Sequence, residues 1–226
     1  MGWCYIHRMK TYTHRPIELQ DLDSVTGREG RFYKTPMGVS YPSVTTVLSA
    51  HTKAGIEKWR EQVGAEVADK ISRQAATRGT KFHNMAEKYL NNQPVEASLN
   101  MLERELFEMA KPELHKIDNI ILQEQALYST HLRIAGRVDC IGEYEGKLSV
   151  IDFKTARKEK DPDHVQHYFM QAAAYAIMCE ELTKIPVSKL VLIIAVEDGF
   201  MQVFEGKRND YVKQLLYYRD LYEANK

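Results

Sequence analysis

At 226 residues, 44% hydrophobic and 27% charged, the chain suits one folded domain, 1–226, with a sizeable core, and intrinsic disorder is excluded as the default. Thirty-one basic residues balance thirty-one acidic ones, so attraction to nucleic acid has to come from local patches rather than from the field of the whole molecule. Cys4, Cys140 and Cys179 form no CxxC pair, which argues against a zinc ribbon or a cysteine-held iron–sulfur cluster, and the lack of a long apolar run argues against a membrane partner, so a cytoplasmic protein is expected.

Residues 1–40 read as an irregular segment ending in a hairpin between Gly30 and Ser40 that turns at Thr35-Pro36-Met37-Gly38. Tyr41-Pro42-Ser43 marks a helix start near Val44, with Ser43 as a candidate N-cap. Section 41–112 reads as helical. Its helices cover about Lys53 to Ala76 and about Lys81 to Asn91, with Gly79 breaking the pattern between them and Thr80 capping the second. A further helix runs from about Ser98 to Lys111 and stops at Pro112.

Section 113–226 reads as a sheet core. Strands are expected from Ile120 to Tyr128, Ile134 to Tyr144 and Lys147 to Phe153, then a helix from Val165 to Leu182. Val187 to Val196 is rich enough in β-branched residues for a buried strand, Phe200 to Phe204 suits an edge strand, and Asn209 to Glu223 a closing helix. This order predicts an α/β sandwich, a mixed central sheet flanked by helices with an N-terminal helical section.

The most informative segment runs from Gly136 to Thr155. If the hairpin turns on Glu145-Gly146, antiparallel counting places Asp139 opposite Asp152, with Cβ atoms about 5 Å apart on one face. Two carboxylates so close repel each other, and a divalent cation between them is the economical remedy; oxygen ligands suit Mg²⁺ or Mn²⁺. Lys154, two residues beyond Asp152, shares that face and can offset charge developing on phosphoryl oxygens. The bland alternative, a solvated hairpin face, is weakened because Asp152 and Lys154 sit inside the apolar run around Val150, Ile151 and Phe153.

Four further groups are candidates, each with an ordinary structural alternative. His83 and Glu87 share a helix face and could serve a metal site, or form a surface helix pair. Glu124, on the strand before the hairpin, is a third acid or a solvent-facing residue. Gln171 and Tyr175, at i and i+4, could touch a phosphate or stack on a base, unless the tyrosine simply packs on the sheet. Basic residues cluster at Lys70, Arg73, Arg78 and Lys81, and again at Lys154, Arg157, Lys158 and Lys160, and either cluster could track a nucleic-acid backbone or be a solvated face.

Taken together, Gly79-Thr80-x-x-His83-x-x-x-Glu87, Glu124, Gly136-Arg137-x-Asp139, Asp152-x-Lys154 and Gln171-x-x-x-Tyr175 resemble the RecB-type branch of the PD-(D/E)xK nuclease superfamily. Tyr41 to Leu48, Asp139 to Thr155 and Val196 to Gly199 are similar to the mitochondrial genome maintenance exonuclease family. The resemblance implies a restriction-endonuclease-like core and an Mg²⁺- or Mn²⁺-dependent exonuclease acting on single-stranded DNA with a free end. It implies Asp139, Asp152 and Lys154 as catalytic residues, and His83, Asp139, Asp152 and the Phe153 carbonyl as metal ligands. Ser43, Glu87, Glu124, Arg137, Gln171 and Tyr175 would then line the substrate. The cysteines of cluster-bearing relatives are missing, so no iron–sulfur cluster is expected. A chain shorter than the mitochondrial members, with no convincing presequence, is expected in the cytoplasm of a bacterium or virus-infected host, as a monomer. A structure-selective endonuclease, a DNA-end-binding module without chemistry and a metal-stabilised structural domain are the competing readings.

Overall fold

The computed structural model describes residues 10–95 and 99–225. A small antiparallel sheet comes first, β1 (Ser24–Gly27), β2 (Gly30–Lys34) and β3 (Ser40–Pro42). Helices α1 (Val44–Val63), α2 (Ala65–Leu90) and α3 (Met101–Leu114) follow. The main sheet is β4 (Ile117–Ser129), β5 (Ile134–Tyr144), β6 (Lys147–Ala156), β7 (Lys189–Val196) and β8 (Phe200–Lys207), hydrogen-bonded in chain order. Helix α4 (Gln166–Thr183) crosses from β6 to β7, which makes that pair parallel where the other neighbours are antiparallel. Helix α5 (Arg208–Ala224) closes the chain.

Alternation along β7 explains the layering. Leu190, Leu192 and Ile194 join a core with Val44, Val47, the small-residue run Ala172-Ala173-Ala174 and Leu215, from α1, α4 and α5. Val191, Ile193 and Ala195 face a second core with Phe82, Met85, Phe107 and Leu114, from α2 and α3. A strand buried on both faces has to be apolar throughout, which is why Leu190 to Val196 shows no polar–apolar alternation. The mixed five-stranded sheet between helices is the expected α/β architecture.

Two helix boundaries differ from those expected. The break falls at Gly64, whose φ of 84° and ψ of 145° suit glycine, while Gly79 lies inside α2. A mid-helix glycine costs only about 1 kcal/mol. Burial of Ala68, Phe82, Met85, Ala86, Tyr89 and Leu90 along the same helix outweighs that, so Thr80 caps nothing. Pro112 does not stop α3, which runs on to Leu114; so near the C-terminus it removes one hydrogen bond from a helix anchored by Phe107, Ala110 and Leu114. Asn100 and Glu103 form a capping box at its start, and the expected start at Ser98 lies outside the described residues.

The β5–β6 hairpin turns on Glu145 and Gly146, both with positive φ, as a tight two-residue turn matched to strand twist requires. Register runs from Tyr144 opposite Lys147 to Cys140 opposite Ile151 and there the ladder ends. Beyond Ile151, β6 stays paired with β7 as far as Ala156. The sheet therefore forks one residue short of the expected pair, and Asp139 and Asp152 stand at the fork.

Candidate active site

At the fork Asp139 does not face Asp152 across a ladder rung. Its Oδ2 instead accepts the backbone N–H of Phe153 at 2.8 Å, which satisfies a donor freed when the strands part. Asp152 is 1% exposed. Lys154 Nζ closes on its Oδ2 as an ion pair, yet neither carboxylate oxygen of Asp152 receives a hydrogen bond of good geometry. The Lys154 ammonium also lies 5.3 Å from the centroid of the Tyr168 ring on α4.

Two further groups converge on Asp139. His83 Nδ1 from α2 comes within 3.4 Å of Asp139 Oδ1, and the His83 ring meets Phe153 edge-on with centroids 6.3 Å apart. Glu124 comes from β4, where Gln123 pairs with Cys140 and Gln125 with Val138, so the same count sets Glu124 against Asp139. It is an irregular point in the strand, with φ of 45° at Glu124. Ligand atoms of His83, Glu124 and Asp139 all lie within 4.8 Å of one another.

The electrostatics follow from this crowding. Burial alone would lower the His83 imidazole, but the hydrogen bond and charge of Asp139 raise it above its ordinary value. Burial would raise Asp139, yet His83, Lys154 and the Phe153 N–H hold it below the usual carboxylate range. Asp152 is raised, first by desolvation and then by the Asp139 charge, with Lys154 opposing. Lys154 is raised because its two aspartate neighbours override the cost of burial. Glu124 is pushed up to about 7, by burial and then by Asp139. Asp139, Asp152 and Glu124 outnumber the single Lys154 ammonium among them, and a cation would offset the remaining negative charge. Oxygen donors with one imidazole fit a small divalent ion such as Mg²⁺ or Mn²⁺.

The other expected residues divide. Glu87, half-buried one turn beyond His83, adds negative charge beside Glu124. Ser43 is an N-cap: its side chain is buried, accepts the Thr46 N–H at 3.0 Å and bonds both Thr45 and Thr46 hydroxyls, as the cap reading expects. Tyr175 is 3% exposed and cannot stack on a base. Its ring covers Gly136, where an added Cβ would come within 2.8 Å of Cε1, and its hydroxyl accepts from Gln171 Nε2 at 3.2 Å. Packing is thus the reading that fits Tyr175, and Gln171 is turned toward it. Arg137 contacts both oxygens of Asp21, at 2.9 and 3.0 Å, and donates to the Glu124 carbonyl, so its guanidinium is engaged within the protein.

Arg73, Arg78 and Lys81 of the first basic cluster line a cleft of about 1090 Å³ that reaches Thr155, beside Lys154. Acids from α3 and the end of β7 share it: Lys81 pairs with Glu103 at 2.5 Å, and Glu197 pairs with Arg78 and, at 3.7 Å, with Arg157. The cleft is charge-mixed rather than a basic track. Tyr168 and Asp21 were not singled out from the sequence. Tyr168 stands at i−3 from Gln171 and i−7 from Tyr175, a helical stripe that could have flagged it. Asp21 had no local signal.

Helices on both faces of a forked mixed sheet, with acids and a lysine at the fork, place the chain in a recognised class of nuclease folds. Residues 95–220 match the PD-(D/E)XK nuclease superfamily, and the chain belongs to it. Glu124, Asp139, Asp152 and Lys154 lie inside that segment; His83 lies outside it.

Among individual proteins, the chain is 29% identical over 173 residues to mitochondrial genome maintenance exonuclease 1 of Homo sapiens, covering 70% of this chain and 50% of that one. It is 26% identical over 178 residues to the protein of the same name from Xenopus tropicalis, covering 70% and 49%. The chain thus spans about half the length of these curated relatives. A solved putative exonuclease from Eubacterium rectale aligns over 79% of this chain and 64% of that chain, at 11% identity and a TM-score of 0.41. The mitochondrial name of the relatives fits poorly with the cytoplasmic address expected from the sequence. Among the described residues, no helix is long and apolar enough to cross a membrane.

Proposed function

We propose that the chain is a metal-dependent deoxyribonuclease that hydrolyses phosphodiester bonds from a free end of single-stranded DNA or a flap. The observation that carries the reading is Asp152, a carboxylate buried beside Asp139 and balanced by the Lys154 ammonium. The exonuclease names of the relatives support end dependence. His83, Asp139, Asp152 and the Phe153 carbonyl are the proposed ligands of Mg²⁺ or Mn²⁺, and the His83–Glu124–Asp139 cluster supports adding Glu124. When bound, the ion supplies Lewis acidity toward water and phosphate oxygens.

The chain's own groups supply the rest. Lys154 is held charged by Asp152 and Asp139, so its Nζ can stabilise negative charge that grows on the phosphoryl oxygens as a water oxygen attacks phosphorus and the P–O bond of the leaving nucleotide breaks. Asp139 fixes the fork by accepting the Phe153 N–H, which sets where the Phe153 carbonyl and the neighbouring Asp152 and Lys154 side chains emerge. His83 is oriented by Asp139 and by its edge contact with Phe153. The cleft running from Thr155 along α2 and α3 is the proposed path of the strand.

The test uses end-labelled linear and covalently closed circular single-stranded DNA with wild type and Asp152→Ala, in Mg²⁺, Mn²⁺ or EDTA. Metal-dependent loss of the linear strand alone, absent in the variant, is the expected result. Cutting of the circle would make the protein an endonuclease, and intact DNA under every condition would leave a DNA-end-binding module.

A further inference from the structure

Glu124 occupies a backbone conformation that a glutamate rarely adopts, φ of 45° in the middle of a strand. Something has to hold it there. The Arg137 guanidinium donates through one nitrogen to the Glu124 carbonyl and through another to both oxygens of Asp21, at 2.9 and 3.0 Å. Asp21 also accepts hydrogen bonds from the backbones of Leu22 and Ala126, the latter two residues past Glu124. The strained turn of backbone that leaves Glu124 is therefore held at two points, its own carbonyl and the Ala126 N–H, by one ion pair.

Asp21 is fixed in turn by the segment before it. Arg15 and Ile17 donate their N–H groups to the carbonyls of Ile120 and Ile121, at 2.8 and 3.1 Å, so the N-terminal segment runs along the free edge of β4 just where its register with β5 shifts. Asp21 and Arg137 are both substantially exposed, 63% and 36%, and an exposed ion pair contributes little to stability. The planar guanidinium, by contrast, uses its two terminal nitrogens on two partners, the Glu124 carbonyl and the Asp21 carboxylate, and so fixes their relative direction. What it fixes is the turn of backbone that aims the Glu124 carboxylate at His83 and Asp139.

We infer that Asp21 and Arg137 are positioning residues, an ion-paired brace from the N-terminal segment that holds the positive-φ backbone at Glu124 so that its carboxylate completes the cation site. The inference rests on the proposed metal dependence. It assigns the site a structural element outside the family-matched segment 95–220, and gives Arg137 a role through Glu124 rather than on substrate.

The experiment measures Mn²⁺ binding to the full chain without DNA, from the loss of the free-ion electron paramagnetic resonance signal, together with thermal melting in EDTA. Arg137→Gln is expected to weaken Mn²⁺ binding roughly 10-fold or more, as removal of an outer-shell partner typically does. Asp21→Asn should weaken it by a smaller factor while leaving the melting temperature nearly unchanged. The double variant Glu124→Gln/Arg137→Gln should bind no more weakly than Glu124→Gln alone, because Arg137 acts through Glu124. Wild-type affinity in both Arg137→Gln and Asp21→Asn, or additive losses in the double variant, overturns the brace while leaving the metal site standing. A wild type that binds no Mn²⁺ overturns both. If Arg137→Gln fails to fold, Asp21→Asn alone decides.

Discussion

Alanine and asparagine at position 139 should separate chemistry from folding. Asp139 Oδ2 is the acceptor for the buried Phe153 N–H at 2.8 Å. Asp139→Ala leaves that donor unsatisfied, at a cost of about 1–3 kcal/mol. For a chain of this size 1 kcal/mol moves the melting temperature by about 2–4 °C, so the loss should be roughly 2–12 °C. Asp139→Asn keeps an oxygen that can accept the same N–H and removes a negative charge beside Asp152, so it should stay within the roughly 2–4 °C that 1 kcal/mol represents. Both variants should be inactive on end-labelled single-stranded DNA. Differential scanning fluorimetry in EDTA, followed by the cleavage assay, reads both effects. If alanine and asparagine melt together, the Phe153 bond does not hold the fork, and wild-type cleavage by either variant would remove Asp139 from the site.

Two glycines should respond in opposite directions. Gly136→Ala puts a Cβ 2.8 Å from the buried Tyr175 ring and should cost about 1–3 kcal/mol by overpacking, read as a lower denaturant midpoint. Gly79→Ala meets only Thr155 Oγ1, at 3.9 Å, and should stabilise α2 by about 0.5–1 kcal/mol; an unchanged or lower midpoint would mean that α2 is distorted there. Glu181 accepts from Ser129 Oγ at 2.5 Å and Thr130 N at 2.8 Å, and also from the Thr130 hydroxyl, tying α4 to the β4–β5 turn. Burial opposes its charge, yet these bonds hold the carboxyl below its ordinary 4.5. The unfolded chain therefore binds the proton first, so Glu181 contributes stability that is full above pH 4.5 and is lost as pH falls through the lowered native value. The melting-temperature gap between wild type and Glu181→Gln should be constant near neutrality and close in acid; a gap that widens there would contradict the sign.

Most of the fold was legible because period and punctuation agree along the second half of the chain. Glu145-Gly146 set the hairpin, and its register could be counted to within one residue of the two aspartates. The count failed at the last step because antiparallel pairing has no knowledge of β7: the parallel ladder from Ser149 to Ala156 draws β6 away from β5, and the Asp139 side chain takes over the backbone bond that pairing would have made. In the helical section, Gly79 looked like a stop because propensity was the only local evidence, whereas the buried side of α2 is supplied by β6 and α3, far along the sequence.

Glu124 shows why part of a site of this kind stays hidden. By strand alternation it could be placed inward or outward with equal ease, and its direction depends on a positive φ that no residue in β4 announces by composition. The conformation is held from outside the strand, by Arg137 on the neighbouring β5 and by Asp21 more than a hundred residues earlier. Sequence patterns report what a segment prefers alone. A strained backbone position records what its neighbours impose, so the residues that impose it, Asp21 above all, are the ones a motif search passes over.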